Sequence, residues 1–145
     1  MKRILVCLDA SPRAPFVLEA AADLARRTGS RLCILRTIGI PAEIDQELLV
    51  HSAAGVIETM TAKAKSDLAK LAETLPESSV EGIHVHVGTP WDSICREAKL
   101  LDADLVVLGS HGYSGFDRIL GTTAAKVVNH CDRSVMVVRP LPPPR

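Results

Sequence analysis

The segment GSHGYSGFDRILGTTAAK (109–126) concentrates the residue types that could hold an anion. Gly109, Gly112, Gly115 and Gly121 are followed by Thr122, Thr123 and a helix-like stretch. Glycine lets backbone approach a ligand closely and adopt positive φ, so successive amides can converge on one anion. A helix opening at Gly121-Thr122-Thr123 would add first-turn amides with no internal partner, and threonine hydroxyls would add donors. Arg118 and Lys126 could supplement the charge. The competing reading is a surface loop that uses glycine only to turn.

A second candidate is Asp9, which ends the apolar run RILVCLD and is followed by Ala10 and Ser11. Its carboxylate could meet a ligand or could accept hydrogen bonds from the next turn. His84 and His86 alternate with valine and share a face; two imidazoles leave a metal site underfilled, and a solvated edge explains them. His111 sits in the glycine loop and invites a general-base role. No Ser–His–Asp or Cys–His arrangement can be assembled around it, so no catalytic residue is expected, and any hydrolysis should be very slow. Trp91 fits a packing anchor.

Two familiar phosphate motifs are excluded. GxxxxGK[ST] is absent, and the dinucleotide glycines would have to follow the first strand, where ASPRAP contains none.

The surrounding elements must position these residues. RILVCLD (3–9), RLCILRTI (31–38), GIHVHVG (82–88), DADLVVLG (102–109) and RSVMVVRP (133–140) are strand-like. Strict alternation in GIHVHVG suits an edge strand with one wet face. Between the strands lie helical stretches. The first begins at Ser11-Pro12 as cap and first turn, or at Pro15, and stops at Gly29. The second spans roughly 48–75, with Val56, Met60, Ala64, Leu68, Leu71 and Leu75 on one stripe. The third starts with Thr89 as cap, Pro90 in the first turn and Asp92 in a capping box. The fourth follows Thr122.

No hairpin turn joins any two strands, so the order βαβαβαβαβ demands parallel strands with right-handed crossovers. The expectation is a three-layer, open, five-stranded parallel α/β sheet, Rossmann-like, with strand order 3-2-1-4-5. That order puts GIHVHVG on an edge and sets the ends of strands one and four beside the winding reversal, where ligands bind in such sheets. One domain over 1–140 and a proline-rich tail over 141–145 are expected.

Lys plus Arg and Asp plus Glu are equal at 17 each, so no global field draws nucleic acid or a membrane surface. The first apolar run is short and ends at Asp9, unlike a signal peptide or membrane span. Cys7, Cys33, Cys95 and Cys131 form no CxxC pair and suit a reducing cytoplasm, and Cys7 and Cys33, inside strand-like runs, suit small apolar roles.

Across nearly its full length the chain resembles the universal stress protein family. The resemblance is carried by KRILVCLDASPRA, VGTPWDSI, DADLVVLGSHG, the glycine loop through GTTAAKVVNH, and SVMVVR. Nucleotide-binding members of that family carry G-x2-G-x9-G-[ST]. Here Gly109-x2-Gly112 and Gly121-Thr122 match, with eight residues, YSGFDRIL, between them.

The resemblance implies a site for ATP or another adenine nucleotide, with or without Mg. Asp9, with Ala10 and Ser11 beside it, would face the adenine or ribose. Backbone at Thr37 and Ile38 would meet the adenine. Gly109, Ser110, His111 and Gly112 would wrap the ribose and phosphates, and Gly121, Thr122 and Thr123 would hold the phosphates. The expected function is a small cytoplasmic stress-response protein in which nucleotide occupancy is a regulatory switch, read through the loop GIPAEIDQE (39–47) by a protein partner. The family's other branch binds no nucleotide and dimerises through its last strand. A homodimer through residues 134–138 is therefore also implied, and a nucleotide-free interaction protein is the alternative function.

Overall fold

The computed structural model describes residues 1–39, 54–110 and 120–139. The loop after Gly39, the start of the expected second helix, His111, Gly112, Arg118 and the tail 141–145 lie outside the described residues. Five strands, β1 (Arg3–Cys7), β2 (Arg31–Ile38), β3 (Val80–Val87), β4 (Leu105–Gly109) and β5 (Ser134–Val138), form one sheet in the order β3-β2-β1-β4-β5. Every pairing is parallel. The described helices are α1 (Ala14–Thr28), α2 (Ala54–Ala72), α3 (Pro90–Leu100) and α4 (Thr122–His130). The expected architecture and strand order are therefore those observed.

Register explains why the strands are apolar on both faces. Ile34, Val6, Val107 and Met136 lie in one row across the sheet. They pack with α1 and with Leu68 of α2 in one aliphatic core. The neighbouring row, Cys33, Leu5, Val106 and Val135, faces the opposite layer. There Ile94 and Ala98 of α3 and Ala124 and Val127 of α4 complete a second core. Two buried faces require near-continuous hydrophobic runs, which is how these strands are recognised.

One open choice is decided, and three local expectations meet a different outcome. Of the two starts open for the first helix, Pro15 in the first turn is the one formed, with Arg13 as N-cap. Ser11 lies before the helix, and its hydroxyl accepts from the Arg13 amide. Thr89 does cap α3, but without a side-chain hydrogen bond, and Asp92 pairs with Arg96 at 2.8 Å instead of closing a capping box. A carboxylate one turn before an arginine can satisfy either partner, and here the ion pair forms.

The stripe on α2 is only partly buried. Ala64 and Leu68 are covered, whereas Val56 and Met60 are 56% and 47% exposed. Periodicity shows which side of a helix is apolar, not how much of its length the sheet covers. Finally, the histidine face of β3 is not simply solvated. His86 Nε2 lies 2.8 Å and His84 Nδ1 3.4 Å from the carboxylate of Glu97, which is buried on α3. A cross-layer carboxylate satisfies the histidines, and alternation in one strand cannot reveal it. A side chain on Gly82 would meet His84 Nε2 at 2.9 Å, so the glycine makes room for the folded-back ring. Gly29 ends α1 in the left-handed region (φ 67°), as its position suggested.

The sheet's lower corner is tied by two carboxylates. Asp104 accepts from the Lys2 and Arg3 amides at 2.7 and 2.9 Å. Glu81 takes both a 2.9 and a 2.8 Å bond from the Arg3 guanidinium. The amide donors hold Asp104, and the Arg3 hydrogen bond holds Glu81, below their ordinary values. A depressed folded-state pKa contributes stability that is complete above the unfolded value and lost as pH falls through the folded one. Urea midpoints should therefore be flat above about pH 5 and decline below about pH 4. Asp104→Asn should flatten that decline; an unchanged acid limb would count against this assignment.

Candidate functional site

The helix after β1 covers one face of the sheet, while α3 and α4 cover the other. The winding reverses between the adjacent strands β1 and β4, and their carboxyl ends open into a crevice. A cavity of about 290 Å³ lies there. Cys7, Leu35 and Leu108 form its apolar floor.

Above the floor, Asp9, Ser11 and Arg13 line one wall, and Gly109, Ser110 and the start of α4 line the other. Pro90 and Ile94 of α3 close the side. Three helices thus begin at one cavity, and none of the three N-caps makes a side-chain hydrogen bond to its helix. In α1 the Ala14 and Phe16 amides donate to the Ser11 and Arg13 carbonyls and Pro15 has no N–H, so it is the first-turn amides of α3 and α4, with the aligned peptide dipoles, that favour a negatively charged ligand.

The expected site residues are brought together in large part. Asp9, Ser11, Thr37, Gly109, Ser110, Gly121, Thr122 and Thr123 all line the cavity. Ala10 and Ile38 are not among the lining residues, and the Ile38 carbonyl accepts from the Gly88 amide at 2.9 Å. His111 and Gly112 lie outside the described residues. Lys126 is exposed on α4 and does not line the cavity. Among the described residues the cation that does is Arg13, which sequence reasoning had passed over.

Local hydrogen bonds order the wall that carries Asp9. Asp9 Oδ1 accepts from the Ser11 amide at 2.9 Å, and Ser11 Oγ accepts from the Arg13 amide at 3.2 Å. Beneath them, the buried Arg36 guanidinium donates to the Asp9 carbonyl at 3.0 Å and to the Leu8 carbonyl at 3.4 Å. Its third nitrogen is 3.7 Å from Asp67 on α2. Arg36 was also missed, although a charge inside RLCILRTI is its signal. On the opposite wall the Ser110 amide donates to Val138 and its carbonyl accepts from the Gly121 amide, which joins β4, β5 and the start of α4.

The thiols behave as apolar groups. Burial pushes Cys33 up to about 11 and Cys95 up to about 12, and it also raises Cys7 on the cavity floor. They are protonated and poorly nucleophilic near neutrality. Trp91 packs on the second core with its ring 4.8 Å from that of His130, which is an anchor's role. Among the described residues no group of three metal-ligating side chains could hold a metal ion, and no helix is long and apolar enough to cross a membrane.

A parallel sheet wound to both sides, with an anion-favouring crevice at the reversal, defines a Rossmann-like α/β domain. The match is more particular than that class. The Universal stress protein family model matches residues 1–139, and the chain belongs to that family. A universal stress protein of Synechocystis sp. is 31% identical over 149 residues, spanning 94% of this chain and 97% of that protein. The solved structure of universal stress protein UspA from Lactobacillus plantarum is 27% identical, with a TM-score of 0.68 over 95% of this chain and 97% of that one. The structure of a universal stress protein from Archaeoglobus fulgidus in complex with dAMP has a TM-score of 0.60 at 23% identity, covering 96% and 98% of the two chains.

Proposed function

We propose that this universal stress protein binds an adenine nucleotide in the crevice between β1 and β4, and that occupancy serves regulation rather than turnover. The observation that carries the reading is the convergence of Asp9, Ser110 and Gly121–Thr123 on one cavity, from segments far apart in the chain. Asp9 is the only carboxylate among the described lining residues, and its Oδ1 is fixed by Ser11. It suits a constant acceptor for a ribose hydroxyl or an adenine amino group. Amides of the α4 N-terminus, with the Thr122 and Thr123 hydroxyls, would take phosphate oxygens, and Thr37 would flank the base. The Archaeoglobus fulgidus relative in complex with dAMP is a family member of the same fold with an adenine nucleotide.

Calorimetric titration with AMP, ADP and ATP, with and without Mg, tests the reading. Saturable heat with at least one nucleotide supports it; no heat and no thermal shift at millimolar ATP would remove it.

A homodimer through β5 is a second element of the proposal. Among the described residues β5 is an edge strand that pairs with β4 alone, so its outer N–H and C=O groups face away from the sheet. Met136 and Val135 pack on the two cores, while Val137 is half-buried and belongs to neither. Val137→Lys is therefore the substitution that burdens pairing more than folding. It should shift sedimentation from dimer to monomer at micromolar concentration, and a wild type that already sediments as monomer would exclude the dimer.

A further inference from the structure

We infer that Arg13 makes this site select phosphorylated adenine nucleotides over the nucleoside, by meeting the phosphate from the α1 wall, opposite the start of α4. The inference rests on the nucleotide reading above. Arg13 is the only basic residue among the described lining residues, and it is half-buried at the N-cap of α1.

Its main chain is anchored on both sides. The Arg13 amide donates to Ser11 Oγ, and the Arg13 carbonyl accepts from Phe16 and Val17 at 3.0 and 3.1 Å. Ser11 is fixed in turn by Asp9. The side chain therefore leaves from a fixed main chain at the cavity, and a guanidinium's planar fork matches phosphate geometry.

A second observation points to a ligand in the same cavity, from its other wall. Ser110 lines the cavity, is 3% exposed, and its hydroxyl has no hydrogen-bond partner among the described residues. A buried hydroxyl is costly to leave unpaired, and a ligand oxygen would satisfy it. Among the described residues, with Lys126 outside the cavity, the positive side chain comes from the wall across from the helix amides, so a phosphate is met from two directions.

The test titrates wild type, Arg13→Ala and Arg13→Lys with adenosine, AMP and ADP at low and high salt. Arg13→Ala should weaken AMP and ADP by about tenfold or more and leave adenosine unchanged. Arg13→Lys should be intermediate, and the salt dependence of AMP binding should become shallower in Arg13→Ala. Equal losses for adenosine and AMP, or no loss at all, would overturn the assignment. A wild type that binds none of the three would overturn the nucleotide reading itself, so the two failures are distinguishable. Urea midpoints of the variants should match wild type; a lowered midpoint with parallel loss of every ligand also overturns a phosphate-selecting role.

Discussion

Leu35→Ala is expected to lower the free energy of unfolding by about 2–5 kcal/mol. Leu35 is completely buried in the second core and lies in register with Cys7 on β1 and His84 on β3. Truncation removes apolar contacts from both neighbouring strands and leaves a void that the rigid sheet fills poorly. Against a total stability of about 5–15 kcal/mol for a domain of this kind, that is a large share. The backbone itself should hold, because the Leu35 carbonyl still accepts from the Leu8 amide at 2.8 Å.

The same side chain forms part of the cavity floor, so the new void opens into the candidate site. Leu35→Met conserves volume and should cost less than about 1.5 kcal/mol. Leu100→Ala is the surface control, since Leu100 is 78% exposed, and it should change stability by about 0.5 kcal/mol or less. Urea denaturation of the three variants decides the matter. A Leu35→Ala midpoint as close to wild type as that of Leu100→Ala would show that the floor is not the packed layer described.

How much of this was legible in the sequence depends on the range of the interaction concerned. Strand runs, glycine at the end of α1 and the absence of hairpin turns are local features, and together they led to the observed sheet order. The position of the cavity followed from that order, because it depends only on where winding reverses. Interactions between layers were hidden. Alternation in β3 placed His84 and His86 correctly on one face but could not show that Glu97 lies above them. The apolar stripe on α2 gave no sign that the sheet leaves Val56 and Met60 uncovered. Charge near the glycine loop suggested Arg118, which lies outside the described residues, and Lys126, a neighbour in sequence; among the described residues the cavity takes Arg13 from the opposite wall instead of Lys126. Local chemistry names a candidate type; only the fold decides which copy of it arrives.

Arg36 is the residue whose loss should couple the fold to the site. Its Nε and Nη2 reach the carbonyls of Leu8 and Asp9, and its Nη1 faces Asp67 at 3.7 Å. Two effects compete to explain its burial. The Asp67 carboxylate is 40% exposed and beyond hydrogen-bond distance, so that ion pair should be worth about 1 kcal/mol or less. Stripping the donors from the buried Leu8 carbonyl and the Asp9 carbonyl should cost more, about 2–3 kcal/mol in Arg36→Met. Asp67→Asn should therefore be mild. Arg36→Lys should fall between, because one ammonium cannot reproduce the two-pronged hold on both carbonyls. The tether also sets the position of Asp9, from which the Ser11 amide and then the Arg13 amide are ordered. Arg36→Met should accordingly speed hydrogen exchange at the Ser11 and Arg13 amides and weaken AMP binding, under conditions where the variant remains folded. The exchange readout does not depend on any ligand. If Asp67→Asn costs as much as Arg36→Met, the ion pair holds the corner, and if those amides exchange at wild-type rates in Arg36→Met, the wall does not depend on Arg36.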